Sequence, residues 1–226
     1  MSQQEQAVKL VSYSQPATVF AENLMDQIAY AARVSNPANQ NNTETNERLI
    51  SYLIRNNHWS PFEMVSVTLE INTTRDIARQ ILRHRSFSFQ EFSQRYAEAS
   101  QMGFTIREAR LQDDKNRQNS IEVDDPALHD RWKRRQAHAQ RIAIENYEWA
   151  IANGIAKEVA RSVLPEGMTN SRLYMAGTLR SWIHYVQLRA ANGTQKEHRA
   201  IAAACAEVLY EIFPHEVFGD HIDTKI

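Results

Sequence analysis

Three arginines, a histidine, a glutamate and a serine fall within thirteen residues: Arg83-His84-Arg85, then Glu91, Ser93 and Arg95. Arginine carries a planar, permanently charged fork that matches phosphate or carboxylate. Glu91 and Ser93 can read neutral groups such as ribose hydroxyls or an amide edge, and Gln80 joins them from the preceding turn. The plain alternative is a solvated basic helix end that complements the helix dipole. Phe87, Phe89 and Phe92 interleave with the polar groups. A solvated helix end does not need them, which favours a ligand site. Basic residues with aromatics also describe a single-stranded nucleic-acid groove, but the near-neutral chain makes that the weaker reading.

Two further groups carry charge at helical spacing. Glu158 and Arg161 are three apart, which alone reads as an ordinary ion pair. Arg180 and His184 share one helix face, and Arg189 points about half a turn away. Two faces then serve different ligand groups or different subunits. Between a helix and a strand, His58-Trp59-Ser60-Pro61-Phe62-Glu63 reads as a turn with Phe62 as its anchor in the core.

Other chemistries lack their residues. Cys205, the single cysteine, sits on an apolar helical stripe and reads as a small inert hydrophobe. Eight histidines show no metal-ligand spacing, so no metal is expected. There is no Gly-rich phosphate loop, so side chains must hold any phosphate.

The elements that position these groups follow from hydrophobic period. Helical spacing covers Thr18 to Arg33, and Thr43 or Thr45 caps a second helix burying Leu49, Ile50, Leu53 and Ile54. Val65, Val67, Leu69 and Ile71 alternate as a half-buried strand, and Thr73 or Thr74 caps a helix burying Ile77, Ala78, Ile81 and Leu82. That helix gathers Gln80, Arg83 and His84 on its opposite side. A weak strand is expected around Gly103 to Arg107, then an exposed excursion over 111–125. Asp125-Pro126 starts a helix that Gly154 ends. A short helix covers Ala156 to Val163, another Thr178 to Ala191, and a last one follows a Thr194/Glu197 capping box until Pro214. The fold expected is α+β: one mostly helical domain over residues 1–226, with a small antiparallel or mixed sheet.

Composition sets the class. Lys plus Arg number 26 against 27 Asp plus Glu, for a net charge of −1, with 42% hydrophobic residues. This argues against a protein held to nucleic acid or an acidic membrane by bulk charge and leaves room for a local basic patch. Six Gly and six Pro favour long helices over strands and turns. No apolar run reaches the roughly 18–20 residues that span a bilayer. One cysteine and a polar segment from Met1 to Val11 make the cytoplasm the expected location.

Arg83-His84-Arg85, seven intervening residues and Ser93 resemble the signature of the flavin-dependent thymidylate synthases. Ala78-Arg79-Gln80 precedes it and Glu91-Phe92-Ser93-Gln94-Arg95-Tyr96 closes it. Supporting matches follow in the family's order: Ser60-Pro61-Phe62-Glu63, Glu158-Val159-Ala160-Arg161 with Leu164-Pro165, Arg180 through His184 to Leu188-Arg189, and Gln195-Lys196-Glu197. The resemblance covers roughly residues 20 to 218.

This resemblance implies reductive methylation of dUMP to dTMP. Methylenetetrahydrofolate supplies the one-carbon unit, NADPH the hydride by way of FAD, and no cysteine attacks the uracil. It also implies a homotetramer with active sites shared between subunits, and neither nucleic acid nor membrane as partner. Carried over by position, Gln80, Arg83, Glu91, Phe92, Ser93, Gln94, Arg95, Arg161 and Arg189 resemble dUMP contacts. Ser60, Arg83, His84, Arg85, Glu91, Thr178, Arg180 and His184 resemble FAD contacts. Arg189 resembles the catalytic arginine that favours ionisation at N3 of the uracil. Met64 stands where many relatives have His, and Thr178 and His184 where some have Asn.

Overall fold

Val67, Leu69 and Ile71 alternate with Thr68 and Glu70 to form β2 (Ser66–Thr74), the long central strand of the computed structural model, which describes residues 7–98 and 102–213. It pairs antiparallel with β1 (Val8–Tyr13) on one side and β6 (Asn170–Thr178) on the other. β3 (Ser88–Glu91) adds to the far edge of β6, so the order is β1-β2-β6-β3. Register sets Leu69 opposite Met175 and Ile71 opposite Leu173, which makes one face continuously apolar. The other face sets Glu70 opposite Tyr174 and Asn72 opposite Arg172 and is polar.

Each central strand runs directly into a helix. α3 (Arg75–Ile81) continues β2, and α6 (Leu179–Arg189) continues β6. Because the strands are antiparallel, these helices leave from opposite ends of the sheet, and their C-terminal ends converge over its apolar face. α7 (Lys196–Tyr210) packs on α6, α3, β1 and β2. Trp182 of α6 is fully buried, and its indole N–H donates to the Val67 carbonyl at 3.0 Å. α1 (Leu24–Ala32) and α2 (Asn46–Arg55) close the core beside the 3-10 turn Ser60–Met64, where Phe62 is fully buried as expected. β4 (Arg110–Gln112) and β5 (Ser120–Glu122) form a separate hairpin. α4 (Pro126–Ala152) and α5 (Lys157–Ala160) make a smaller apolar cluster of Tyr147, Ala150, Ala160 and Leu164.

The fold is α+β with a small antiparallel sheet, as the sequence led us to expect, and about half of it is helical. Several local expectations change. β6, half of the sheet's centre, gave no strand signal, because Ser171 and Gly177 take two of its four inward positions and leave only Leu173 and Met175 apolar. The first helix starts at Leu24 rather than Thr18, since the Asn23 side chain accepts from Asp26 N–H and caps it there. The expected strand at 103–107 reduces to one bridge, Phe104 with Thr169, and the exposed excursion contains the β4–β5 hairpin. No Thr194/Glu197 capping box forms. Gln195 occupies the cap, Thr194 donates to the Leu188 carbonyl, and Glu197 turns to Arg110. Pro214 as a helix stop, and the polar stretch at Met1 to Gln6, lie outside the described residues. Among the described residues, no helix is long and apolar enough to cross a membrane.

Candidate active site

The convergence of α3 and α6 places His84 against Arg189. Arg189 Nε–H donates to His84 Nε2 at 2.9 Å, which requires a neutral imidazole carrying its proton on Nδ1. Burial, then the positive charges of Arg189 and Arg83, push the His84 pKa down to about 4. The ring lies edge-on to Tyr185 at 4.9 Å. Behind it, Tyr185 and His198 share a hydrogen bond of 3.1 Å, and His198 Nδ1 reaches Gln80 Oε1 at 3.2 Å. Gln80, His84 and Arg189 therefore gather at one place, while Arg83 and Arg85 are exposed.

Glu91 ends β3 opposite Leu173 and is gripped by three donors. Ser171 Oγ donates to it at 2.8 Å, and the guanidinium groups of Arg79 and Arg75 lie at 3.1 and 3.6 Å. A carboxylate so held is fixed in place and leaves few lone pairs for a ligand. Phe92 N–H donates to the Arg172 carbonyl, which continues the strand direction towards Ser93. Gln94 is only 3% exposed, and its Nε2 has no partner. A buried, unmet amide donor costs about 1–3 kcal/mol, so this N–H is a natural place for a ligand oxygen.

Arg95 and Glu158 form an exposed ion pair of 3.2 Å. This corrects the expected Glu158–Arg161 pair: Arg161 Nε donates to the Glu158 backbone carbonyl instead, at 3.4 Å. Arg95 and Arg161 thus converge on Glu158 from separate segments, with two guanidinium forks at one surface. A second correction concerns the aromatics. Phe87 is a core residue, edge-on to Trp182 at 4.8 Å, and Phe89 packs beside it. They hold the loop down rather than face a ligand.

The other end of α6 has its own cluster. Thr178 caps the helix, accepting from Ser181 N–H, and donates its hydroxyl to Glu63 Oε2 at 2.9 Å. Arg180 Nη1 donates to Glu63 Oε1 at 2.6 Å. Burial pushes the Glu63 carboxyl up, but the bonds from Thr178 and Arg180 outweigh it and hold the pKa below the usual range. His184 stands edge-on to Trp59 at 4.8 Å. Its pKa is lowered, by burial first and then by Arg180. Arg180 and Arg189 are nine residues apart, about 13 Å along the helix axis at 1.5 Å per residue.

Ser60 opens the 3-10 turn beside this cluster. It lines a cavity of about 1010 Å³ together with Ser35, Tyr30, Pro61 and Met64. Gln27 also lines it, and Gln27 Oε1 is a buried acceptor without a partner. The space, the apolar wall, the serine hydroxyls and the orphan acceptor fit a flat heteroaromatic with hydrogen-bond donors at its edge, such as a flavin.

Sequence reasoning assigned no role to Glu63, Trp59, Tyr185, Gln195 or His198. Glu63 stood in a quoted motif and is the hinge of the Thr178–Arg180 cluster. His198 carried a signal that passed unread. It falls three residues before Ile201 and seven before Cys205, on the apolar stripe of α7, and is fully buried there.

The family model described as thymidylate synthase complementing protein matches residues 10–215. A flavin-dependent thymidylate synthase from Synechocystis sp. is 50% identical over 210 residues, covering 92% of this chain and 95% of the relative. A probable flavin-dependent thymidylate synthase from Paramecium bursaria Chlorella virus 1 is 47% identical over 208 residues, with coverage of 92% and 95%. Among solved structures, the UMP/dUMP methylase PolB from Streptomyces cacaoi, bound with 5-Br dUMP, superposes with a TM-score of 0.79 at 30% identity, covering 94% of each chain. On this evidence the chain belongs to the flavin-dependent thymidylate synthase family.

Proposed function

We propose that this chain, as one catalytic domain, converts dUMP to dTMP by reductive methylation, with methylenetetrahydrofolate as one-carbon donor and NADPH as reductant through FAD. The observation that carries the reading is the two-ended α6 helix. Thr178 and Arg180 are organised at one end by Glu63, and Arg189 is bonded to His84 at the other. When bound, the flavin would supply the redox chemistry.

The chain's own residues bind, orient and stabilise charge. Ser60, which lines the cavity beside the 3-10 turn, and Thr178, Arg180 and His184 of the adjacent α6 cluster would hold the flavin, and Arg83, His84, Arg85 and Glu91 would complete its site, some of them from neighbouring subunits. Arg95 and Arg161 take the nucleotide phosphate once Glu158 yields, since a phosphate dianion outcompetes an exposed carboxylate for a guanidinium fork. Phe92, Ser93 and the buried Gln94 amide complete the nucleotide cradle. Arg189 faces the uracil and stabilises the anion formed by proton loss at N3, as fixed cations do in a partly dry site. His84, being neutral, accepts from Arg189 and holds the guanidinium without competing as an acid. The active unit is a cytoplasmic homotetramer with no nucleic-acid partner.

The test is direct. The purified protein should show a flavin absorbance spectrum and form dTMP from dUMP, NADPH and methylenetetrahydrofolate, with tritium released from C5-labelled dUMP. A protein that binds flavin under no condition ends the proposal. Analytical ultracentrifugation with and without FAD checks the tetramer.

A further inference from the structure

Glu197 offers a one-way explanation for how Gln80 is oriented. Its carboxylate is acceptor-only and is anchored by Arg110 Nη2 at 2.6 Å. Gln195 therefore turns its NH2 to Glu197, at 2.9 Å, and its Oε1 outward. That oxygen accepts from Gln80 Nε2 at 2.8 Å, so Gln80 must turn its own Oε1 the other way. There it meets His198 Nδ1 at 3.2 Å, which must carry the proton. Nε2 of the same ring is then an acceptor, and the buried Tyr185 hydroxyl donates to it at 3.1 Å. Every donor and acceptor in this chain is fixed by the one before it.

We propose that His198, carrying its proton on Nδ1, is a positioning residue that acts with Gln195 to lock the Gln80 amide so that it offers an N–H, and not a carbonyl, to an acceptor oxygen of the bound nucleotide. The inference rests on the reading of Gln80 as a dUMP contact. With Oε1 engaged by His198 and one N–H given to Gln195, the second N–H is the group left to face a ligand. A flipped amide would confront Gln195 Oε1 with an oxygen and His198 Nδ1–H with an NH2 group. That would break two hydrogen bonds at once, which keeps the flipped form scarce.

The test uses two amides that divide the imidazole between them. Asn at 198 places its NH2 near the former Nδ1, and Gln reaches the former Nε2. Calorimetric titration of the flavin-loaded tetramer with dUMP is the primary readout, with KM and kcat as the second. His198→Asn should keep the dUMP Kd within about threefold of the unaltered protein. His198→Gln and His198→Leu should weaken it about tenfold, with kcat within about twofold. Tyr185→Phe removes the donor to His198 Nε2 and should weaken dUMP by about threefold. FAD retention should be the same throughout. Equal dUMP affinity in the Asn, Gln and Leu variants, with only thermal stability changed, overturns the inference and leaves His198 a packing residue. Absence of dUMP binding by the unaltered protein overturns the reading of Gln80 as well, so the two failures are separable.

Discussion

Arg189 and His84 are joined across the gap between α6 and the end of α3 by a single hydrogen bond of 2.9 Å, with the guanidinium as donor and the imidazole as acceptor. Arg189→Ala should lower turnover by at least about a thousandfold, as loss of a charge-stabilising group does. Flavin should be retained, because Thr178 and Arg180 stand at the opposite end of α6. In the same variant, the His84 pKa should rise from about 4, since one positive neighbour is gone. It should stay below 6.5, because burial is the larger cause. Imidazole proton resonances followed against pH report this, and loss of the flavin spectrum in Arg189→Ala would show that Arg189 faces the wrong ligand.

The half-buried His84 and the buried His198 also set the acid limit of the fold. Burial first, and then Arg189, lower His84 to about 4 and His198 to about 3. In the unfolded chain both titrate near 6.5. As pH falls, the unfolded state therefore takes up protons before the folded one. The stabilisation is complete above about pH 6.5 and is lost as pH falls towards 4 for His84 and 3 for His198, at up to ~1.4 kcal/mol per pH unit for each. His184, also lowered, acts in the same direction. Asp76 and Glu197 have carboxyls held below their usual range, so their loss begins only below about pH 4.5. Urea midpoints from pH 8 to 4 should be flat above 7 and fall through the histidine window. His198→Leu should flatten the upper part of that fall.

The sequence disclosed the helices and most of the charged cluster because both leave periodic or local marks. α4 was legible from Asp125-Pro126 to Gly154, since capping chemistry is local. β6 was not, because its strand character comes from pairing with β2 and β3 rather than from its own residues. The same holds at the site. Arg83, His84 and Arg189 could be named singly, but the bond between His84 and Arg189 spans 105 residues and follows from the opposite departures of α3 and α6. Glu158 illustrates the reverse error: a local rule paired it with Arg161, and a distant arginine, Arg95, took it.

Gly177 shows how tightly the sheet is built beside the start of α6. A Cβ there would come within 2.7 Å of Phe87 Cε1 and nearer still to Cδ1. Phe87 cannot retreat, since Trp182 and Tyr185 back its ring. Gly177→Ala should therefore cost about 1–3 kcal/mol by overpacking. It should also displace Thr178, the next residue and the cap of α6, and so weaken flavin retention. Phe87→Leu in the same chain should restore part of both losses by making room. Thermal midpoints and bound flavin after gel filtration measure the pair. Additive losses in the double variant would place the strain elsewhere.

Cys205 decides whether a thiolate takes part. It is fully buried on α7, and burial alone pushes its thiol far above the usual range, so the nucleophilic form is scarce. Cys205→Ala removes one sulfur from a packed site and should cost about 1 kcal/mol by the cavity it leaves. dTMP formation should persist at a rate within about twofold, because no charge or hydrogen bond at the Arg189 end is altered. Cys205→Ser should be the less stable of the two, since a hydroxyl in the same place must find a partner or lose about 1–3 kcal/mol. Iodoacetamide should leave the native protein active and modify Cys205 only after unfolding. A folded, flavin-loaded Cys205→Ala protein without activity would return the thiolate to the mechanism. Activity in that variant would leave the stabilisation of the uracil anion to Arg189.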